Sequence, residues 1–179
     1  FVYDDSGRLR EDVQDNLPIH ECNAFCGCPA SCPNRVTQRG RKYGIQLKHT
    51  GSKGYGVFAR EKIPAHTYVG TFAGELIPRS VAEGRIKWVD FDAVTHQFAM
   101  NFWYIGKPRS EKPSDGARGP IFVMDASRAG NFTRFVNHSC SPNCRVLPLY
   151  VDEQDERKPL LTFWTRQTIA AGDEITISY

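Results

Sequence analysis

From Ile45 onward, short apolar runs alternate with glycine- and proline-rich breaks, a pattern of many short strands. Tyr55-Gly-Val-Phe-Ala59, Tyr68 to Ile77 and His96 to Tyr104 are rich in β-branched and aromatic residues, and Val146–Val151 and Leu160–Thr165 extend the pattern towards the C-terminal end. One stretch, Pro78 to Val89, reads as helix: Ser80 suits the cap, and Ala82, Glu83, Arg85, Ile86 and Lys87 suit a short amphipathic turn or two. Residues 106–120, GKPRSEKPSDGARGP, predict a solvated loop, and Asp152 to Pro159 predicts another between two strands. Residues 1–21 are polar with little periodicity, and no internal repeat is present. The pattern predicts a mostly β protein with one or two short helices.

A length of 179 residues suits one domain, or one domain with a small appendage. Hydrophobic residues at 40% can supply a core, which excludes a disordered chain. A net charge of +3, from 23 basic and 20 acidic residues, is too balanced to argue for direct nucleic-acid binding. No run approaches the ~18–20 apolar residues of a membrane span. Residues 1–20 are polar and acidic, unlike a signal peptide.

Six cysteines change the picture. Cys22, Cys26, Cys28 and Cys32 follow C-x3-C-x-C-x3-C, while Cys140 and Cys144 stand apart. Without a secretory signal, metal binding is a better reading than disulfides. The spacing is not that of a zinc ribbon. If extended, Cys26 and Cys28 point to one face and can serve bridging or adjacent metals. The thiolates could close one tetrahedral zinc or join a larger shared cluster, and four reduced structural thiols are the plain alternative. Zinc here would be structural.

Four ordered segments carry a resemblance: Glu21 to Gly40 (ECNAFCGCPASCPNRVTQRG), Lys53-Gly54-Tyr55-Gly56-Val57, Gly130 to Cys144 (GNFTRFVNHSCSPNC) and Gly172 to Tyr179 (GDEITISY). Together they resemble the SET family of protein lysine methyltransferases over about residues 20–179. The cysteine segment is similar to the pre-SET motif of the suppressor-of-variegation class, the histone H3 lysine-9 methyltransferases, particularly the fungal type. The resemblance implies a SET fold of several small β-sheets with a C-terminal pseudoknot and a few short helices. It divides the chain into residues 1–40, the C-terminal part of a zinc-binding pre-SET segment, and residues 41–179, the SET domain, with a post-SET segment falling outside the sequence. In the family a larger set of pre-SET cysteines shares several zinc ions, and this chain carries the last four. Cys140 matches a zinc ligand completed by post-SET cysteines. Cys144 has no such role and reads as a buried thiol.

The implied activity is methyl transfer from S-adenosylmethionine to a lysine of histone H3, most closely lysine 9, giving di- or trimethyl-lysine in heterochromatin silencing. This implies a nuclear, chromatin-bound enzyme whose partners are the H3 tail and silencing factors, with no membrane. Such a site must align the amine with the S–CH3 bond and keep it neutral, although lysine titrates near ~10.4 in water. An apolar channel and the sulfonium charge both favour the neutral amine. By the resemblance, Lys53, Gly54, Tyr55, Gly56, His96, Arg134, Phe135, Asn137 and His138 bind the cofactor, the glycines letting backbone approach it. Tyr179 would place its hydroxyl at the transfer point, between Phe72 and Ile177.

Several positions depart from the family. Tyr55 replaces a usual tryptophan and His96 a cofactor-binding tyrosine. Phe72 stands where a site tyrosine is usual, and Ile177 occupies a Phe/Tyr switch; both remove hydroxyls that restrict a methylated nitrogen. Asn101 replaces an acidic substrate-reading residue and is a weaker partner for guanidinium. These departures keep two alternatives open: a weak or inactive SET domain acting as a chromatin or protein binding module, and an enzyme for another lysine.

Overall fold

The structure is a computed structural model that describes residues 1–51, 53–86, 96–100, 122–153, 155 and 157–179. Strands β1 (Ile19–His20), β4 (Tyr68–Phe72), β9 (Cys144–Tyr150) and β10 (Leu160–Thr165) form one sheet in the order β1-β9-β10-β4. Strands β2 (Ile45–His49), β3 (Tyr55–Ala59), β8 (Asn137–His138) and β11 (Glu174–Ile177) form a second, ordered β2-β3-β11-β8. Strands β5 (Glu75–Pro78), β6 (Gln97–Ala99) and β7 (Phe122–Asp125) form a third, ordered β5-β7-β6. The single α-helix among the described residues is α1 (Arg79–Ile86). No helix among them is long and apolar enough to cross a membrane.

The central strand β10 reads LLTFWT and is buried over Leu161–Thr165. A strand covered on both faces needs this unbroken apolar character, and its polar atoms need partners. Thr162 donates to the Leu147 carbonyl at 2.8 Å, Thr165 to the Pro64 carbonyl at 2.7 Å, and the Trp164 indole donates to Thr162 at 2.8 Å. One core lies between this sheet and the second, with Val57, Phe72, Val136, Phe163, Ile175 and Ile177. On the other side Tyr3, Leu9, Ile19 and Val36 pack against Tyr68, Leu147, Leu149 and Trp164.

That second core gives residues 1–21, polar and with little periodicity, a structural role. Its apolar anchors are scattered because an irregular arm touches the sheet only at isolated points. Glu21 fastens the arm: buried, it accepts from the Tyr3 hydroxyl at 2.8 Å, the Thr37 N–H at 2.7 Å and the Gln38 amide at 2.9 Å.

The run Tyr68 to Ile77 is two strands rather than one, β4 in the first sheet and β5 in the third. Gly74 lies at the crossing, where a Cβ would meet the Asp125 carbonyl oxygen at 2.6 Å, so only glycine admits the approach. Helix α1 begins at Arg79, putting Ser80 inside its first turn rather than at the cap. Strand character at Gln97–Ala99 agrees with the expected strand from His96, which the structure ends before Met100; residues 101–104 lie outside the described residues, as does loop 106–120. The 152–159 loop connects β9 and β10 as expected.

Candidate active site

The last strand is threaded through the second sheet. β11 pairs antiparallel with β3 (Glu174 opposite Phe58, Ile175 opposite Val57) and parallel with β8 (Thr176 opposite Asn137, Ile177 opposite His138). The loop after β8 grips it: Ser139 N–H donates to the Ile177 carbonyl at 2.9 Å, the Asn143 amide donates to the Glu174 carbonyl at 2.8 Å, and Thr176 N–H donates back to Asn143 Oδ1 at 2.9 Å. This crossing of a terminal strand under a preceding loop is the knot-like topology the resemblance implied. It brings residues 137–138 beside residues 174–179.

Tyr179 is fixed at both ends. Its N–H donates to His138 Nδ1 at 3.1 Å, its hydroxyl donates to the Val136 carbonyl at 2.8 Å, and its ring centroid lies 5.4 Å from that of His138. The residue is still 76% exposed, so it is held open to solvent rather than packed away. Burial of the hydroxyl, then the nearby Glu174 charge, raise its pKa, so the phenol stays protonated at neutral pH. Phe72 and Ile177 are buried in the core that contains Val136, and the Phe72 ring stands 5.7 Å from Phe98 and 6.3 Å from Phe163.

A second group forms around Phe135. Tyr55 lies 6.1 Å from it, His96 lies 6.3 Å away, and the Arg134 guanidinium covers the same ring at 5.3 Å. Burial, then the charge of Arg134, lower the His96 pKa against its hydrogen bond to the Arg134 backbone, leaving the imidazole neutral at pH 7. Arg134 Nε is buried without a hydrogen-bond partner among the described residues. Asn137 donates through Nδ2 to Glu174 Oε1 at 2.7 Å and to the Tyr55 carbonyl at 3.3 Å.

The two glycines differ. Gly54 has φ +72°, a left-handed conformation favouring glycine, and its carbonyl accepts from Thr50 N–H at 2.7 Å, with Lys53 exposed in the same turn. Gly56 is needed for space: a Cβ would stand 2.6 Å from Glu174 Oε1 and 3.1 Å from Asn137 Nδ2. Sequence reading missed Glu174 although it lies inside the Gly-Asp-Glu motif. Nothing local signals a partner at Asn137, 37 residues away.

In the cysteine segment, the Sγ atoms of Cys22, Cys28 and Cys32 lie within 4.8 Å of one another. Thiolates at ~2.3 Å from zinc are somewhat under 4 Å apart, so this trio fits a tetrahedral metal after small closure. Arg35 donates to Cys28 Sγ at 3.4 Å, and that hydrogen bond, against desolvation, lowers the Cys28 pKa. Arg39 donates to the Cys32 carbonyl. Cys26 stands outside the trio, exposed and bonded to Asn23, whose N–H lies 3.5 Å from its sulfur. Cys140 is exposed with Sγ 3.5 Å from His138 Nε2, whereas Cys144 is buried and its thiol is pushed up to about 12. Asn101 lies outside the described residues.

The SET-domain family model matches residues 54–179, well over half the chain, and the chain belongs to the SET-domain family. Within that family it is similar to a Cryptococcus neoformans protein named as a histone-lysine N-methyltransferase, H3 lysine-9 specific, at 37% identity over 100% of this chain and 11% of that protein. The fold matches the Neurospora SET domain protein DIM-5, a histone lysine methyltransferase, with a TM-score of 0.84 and 29% identity over 100% of this chain and 70% of that one. It also matches KRYPTONITE solved with mCHH DNA, H3(1-15) peptide and SAH, with a TM-score of 0.78 and 27% identity over 100% of this chain and 32% of that one. The chain spans between 11% and 40% of the length of the curated relatives it matches.

Proposed function

We propose that this chain is the SET part of an S-adenosylmethionine-dependent methyltransferase for histone H3, acting on lysine 9 in nuclear chromatin as part of heterochromatin silencing. The observation that carries the reading is the union of Asn137-His138 with the terminal strand, which holds the Tyr179 hydroxyl on the carbonyl of Val136, a member of the core that also contains Phe72 and Ile177. The relatives named above support the substrate class, and the solved complex of KRYPTONITE with an H3 peptide and SAH supports both ligands. In this reading residues 1–40 belong to a structural zinc segment and residues 41–179 to the SET domain. Cys22, Cys28 and Cys32 would share a zinc ion, and Cys26 and Cys140 would serve metals completed from elsewhere.

S-adenosylmethionine would supply a methyl group already activated by its sulfonium. The residues of this chain bind and orient. Tyr55, Phe135, neutral His96 and Arg134 make one wall of a cofactor site, with Asn137, His138 and the Lys53–Gly56 turn beside it. Protonated Tyr179 offers a hydroxyl to the lysine amine, while Phe72 and Ile177 provide an apolar lining that disfavours the ammonium form. Neither carries a hydroxyl to restrain a methylated nitrogen, which favours di- and trimethyl products. Strand β6 edges its sheet, with β7 on one side and no described strand on the other. An extended H3 tail adding there would follow the strand-addition mode. Silencing factors are the natural partners of such an enzyme.

The test is methylation of H3 peptides by the full-length protein, read by mass spectrometry, with lysine 9 present or replaced by alanine. Transfer confined to lysine 9, with Tyr179→Phe lowering kcat by about 100-fold or more, supports the reading. Transfer to another lysine overturns the site assignment. Cofactor and tail binding without turnover would make this a binding module.

A further inference from the structure

We infer that Glu174 is a positioning residue that fixes the polarity of the Asn137 amide, so that the site presents an oxygen acceptor to an ammonium group of its ligand. The inference rests on the S-adenosylmethionine reading and sharpens it. An asparagine amide has an accepting and a donating end, and its partners decide which faces where. Both partners of Asn137 on the protein side are pure acceptors: Glu174 Oε1 at 2.7 Å and the Tyr55 carbonyl at 3.3 Å. They engage both N–H groups of Nδ2. Turning the amide over would set its oxygen against a carboxylate oxygen at hydrogen-bond distance, which is repulsive. Asn137 Oδ1 therefore faces away, and it has no hydrogen-bond partner among the described residues.

Glu174 is itself held firmly. Its carbonyl accepts from the Asn143 amide at 2.8 Å, and its backbone is in register opposite Phe58. Gly56 keeps the space beside Glu174 and Asn137 open, since a Cβ there would collide with Glu174 and crowd Asn137. The acceptor is thus rigid, and a negative charge lies directly behind it. Both features attract an ammonium and disfavour a carboxylate. The methionine portion of S-adenosylmethionine carries one of each, so the ammonium is the end this corner selects.

The test uses the full-length protein and calorimetric titration with S-adenosylhomocysteine and its analogue in which the α-ammonium is replaced by hydrogen. The wild type should prefer the parent compound by about tenfold or more, the equivalent of one charge-assisted hydrogen bond. Glu174→Gln has nearly the same shape but can donate to Asn137, releasing the amide to turn. It should weaken the parent by about tenfold, leave the analogue within about twofold, and so erase the preference. A merely structural role would weaken both ligands alike, and that result, or an undiminished preference, overturns the inference. If Glu174→Gln does not fold, Glu174→Asp, which withdraws the charge by one methylene, is titrated in the same way and should lose about threefold or more of the preference. Retained preference in Glu174→Asp overturns the inference equally. A wild type that binds neither compound overturns the cofactor reading itself, and the inference with it.

Discussion

Asp125 closes β7 with its side chain fully buried, at the point where α1, β5 and β6 meet. It accepts from Arg85 at 2.9 Å, from Ser127 N–H at 2.9 Å and from Gln97 at 3.3 Å, and Arg85 also reaches Glu75 at 2.8 Å. Burial by itself raises the pKa of this carboxyl, but the Ser127 hydroxyl and N–H, Arg85 and Gln97 outweigh it and hold it at about 2. Set against an unfolded aspartate near ~3.9, that lowering corresponds to about 2 kcal/mol of folding stability. The folded pKa is depressed, so this stabilisation is complete above about pH 5, fades as the unfolded chain begins to bind protons near pH 4, and is gone below about pH 2. About 1 kcal/mol of it is lost by pH 3.

Asp125→Asn keeps the volume and removes the charge. Urea unfolding followed by tryptophan fluorescence should find the variant less stable at pH 7 by about 2 kcal/mol, Arg85 keeping Glu75 as its partner. The gap between the two proteins should narrow by about 1 kcal/mol on going to pH 3. An equal gap at pH 7 and pH 3 would refute the assignment of this stability to the ionised carboxylate. Because Gln97 lies on the edge strand proposed to receive the H3 tail, the variant should also raise KM for an H3 peptide more than it lowers kcat.

Three further outcomes are expected. Glu21→Ala leaves the buried Tyr3 hydroxyl without its acceptor and frees the half-buried Thr37 N–H, and should cost about 1–3 kcal/mol by urea unfolding, with residues 1–20 becoming protease-sensitive first. A zinc chelator should lower Tm by about 2–4 °C for each kcal/mol that metal binding contributes, and Cys28→Ser should abolish that sensitivity; an unchanged wild-type Tm would argue for free thiols. Ile177→Tyr puts a hydroxyl into the buried position beside Val136 and should shift product towards monomethyl-lysine at about 1–3 kcal/mol of stability, read by mass spectrometry of the H3 peptide.

The short strands were legible because runs of β-branched and aromatic residues between glycine and proline breaks are local properties: β3 spans Tyr55–Ala59 and β10 spans Leu160–Thr165, as the pattern predicted. The motifs at residues 53–57, 130–144 and 172–179 were legible for the same reason, since each holds its signal within a few residues. Less was legible where one residue's role depends on another sheet. Gly74 looks like an interruption in an apolar run until the Asp125 backbone is placed against it. Tyr3 and Leu9 carry no period because they belong to an irregular arm that packs on the sheet, and the arm joins it only through the two residues of β1, too few for a period to show.

By itself, then, the sequence determined the elements, the family and the inventory of chemical groups, because propensity and motif spacing act over short stretches of chain. Tertiary structure alone decided their pairing: Cys22, Cys28 and Cys32 together with Cys26 apart, Asp125 against Arg85, and Glu174 against Asn137. The Glu174–Asn137 contact arises from the placing of β11 between β3 and β8, and the Asp125–Arg85 contact from the packing of α1 on the third sheet. Their energies come from burial and hydrogen-bond geometry between residues distant in the chain, and no local pattern encodes that distance. The Asn137-His138 motif supplied candidate site residues, but only the fold showed that Glu174 and the Tyr55 carbonyl face the Asn137 amide.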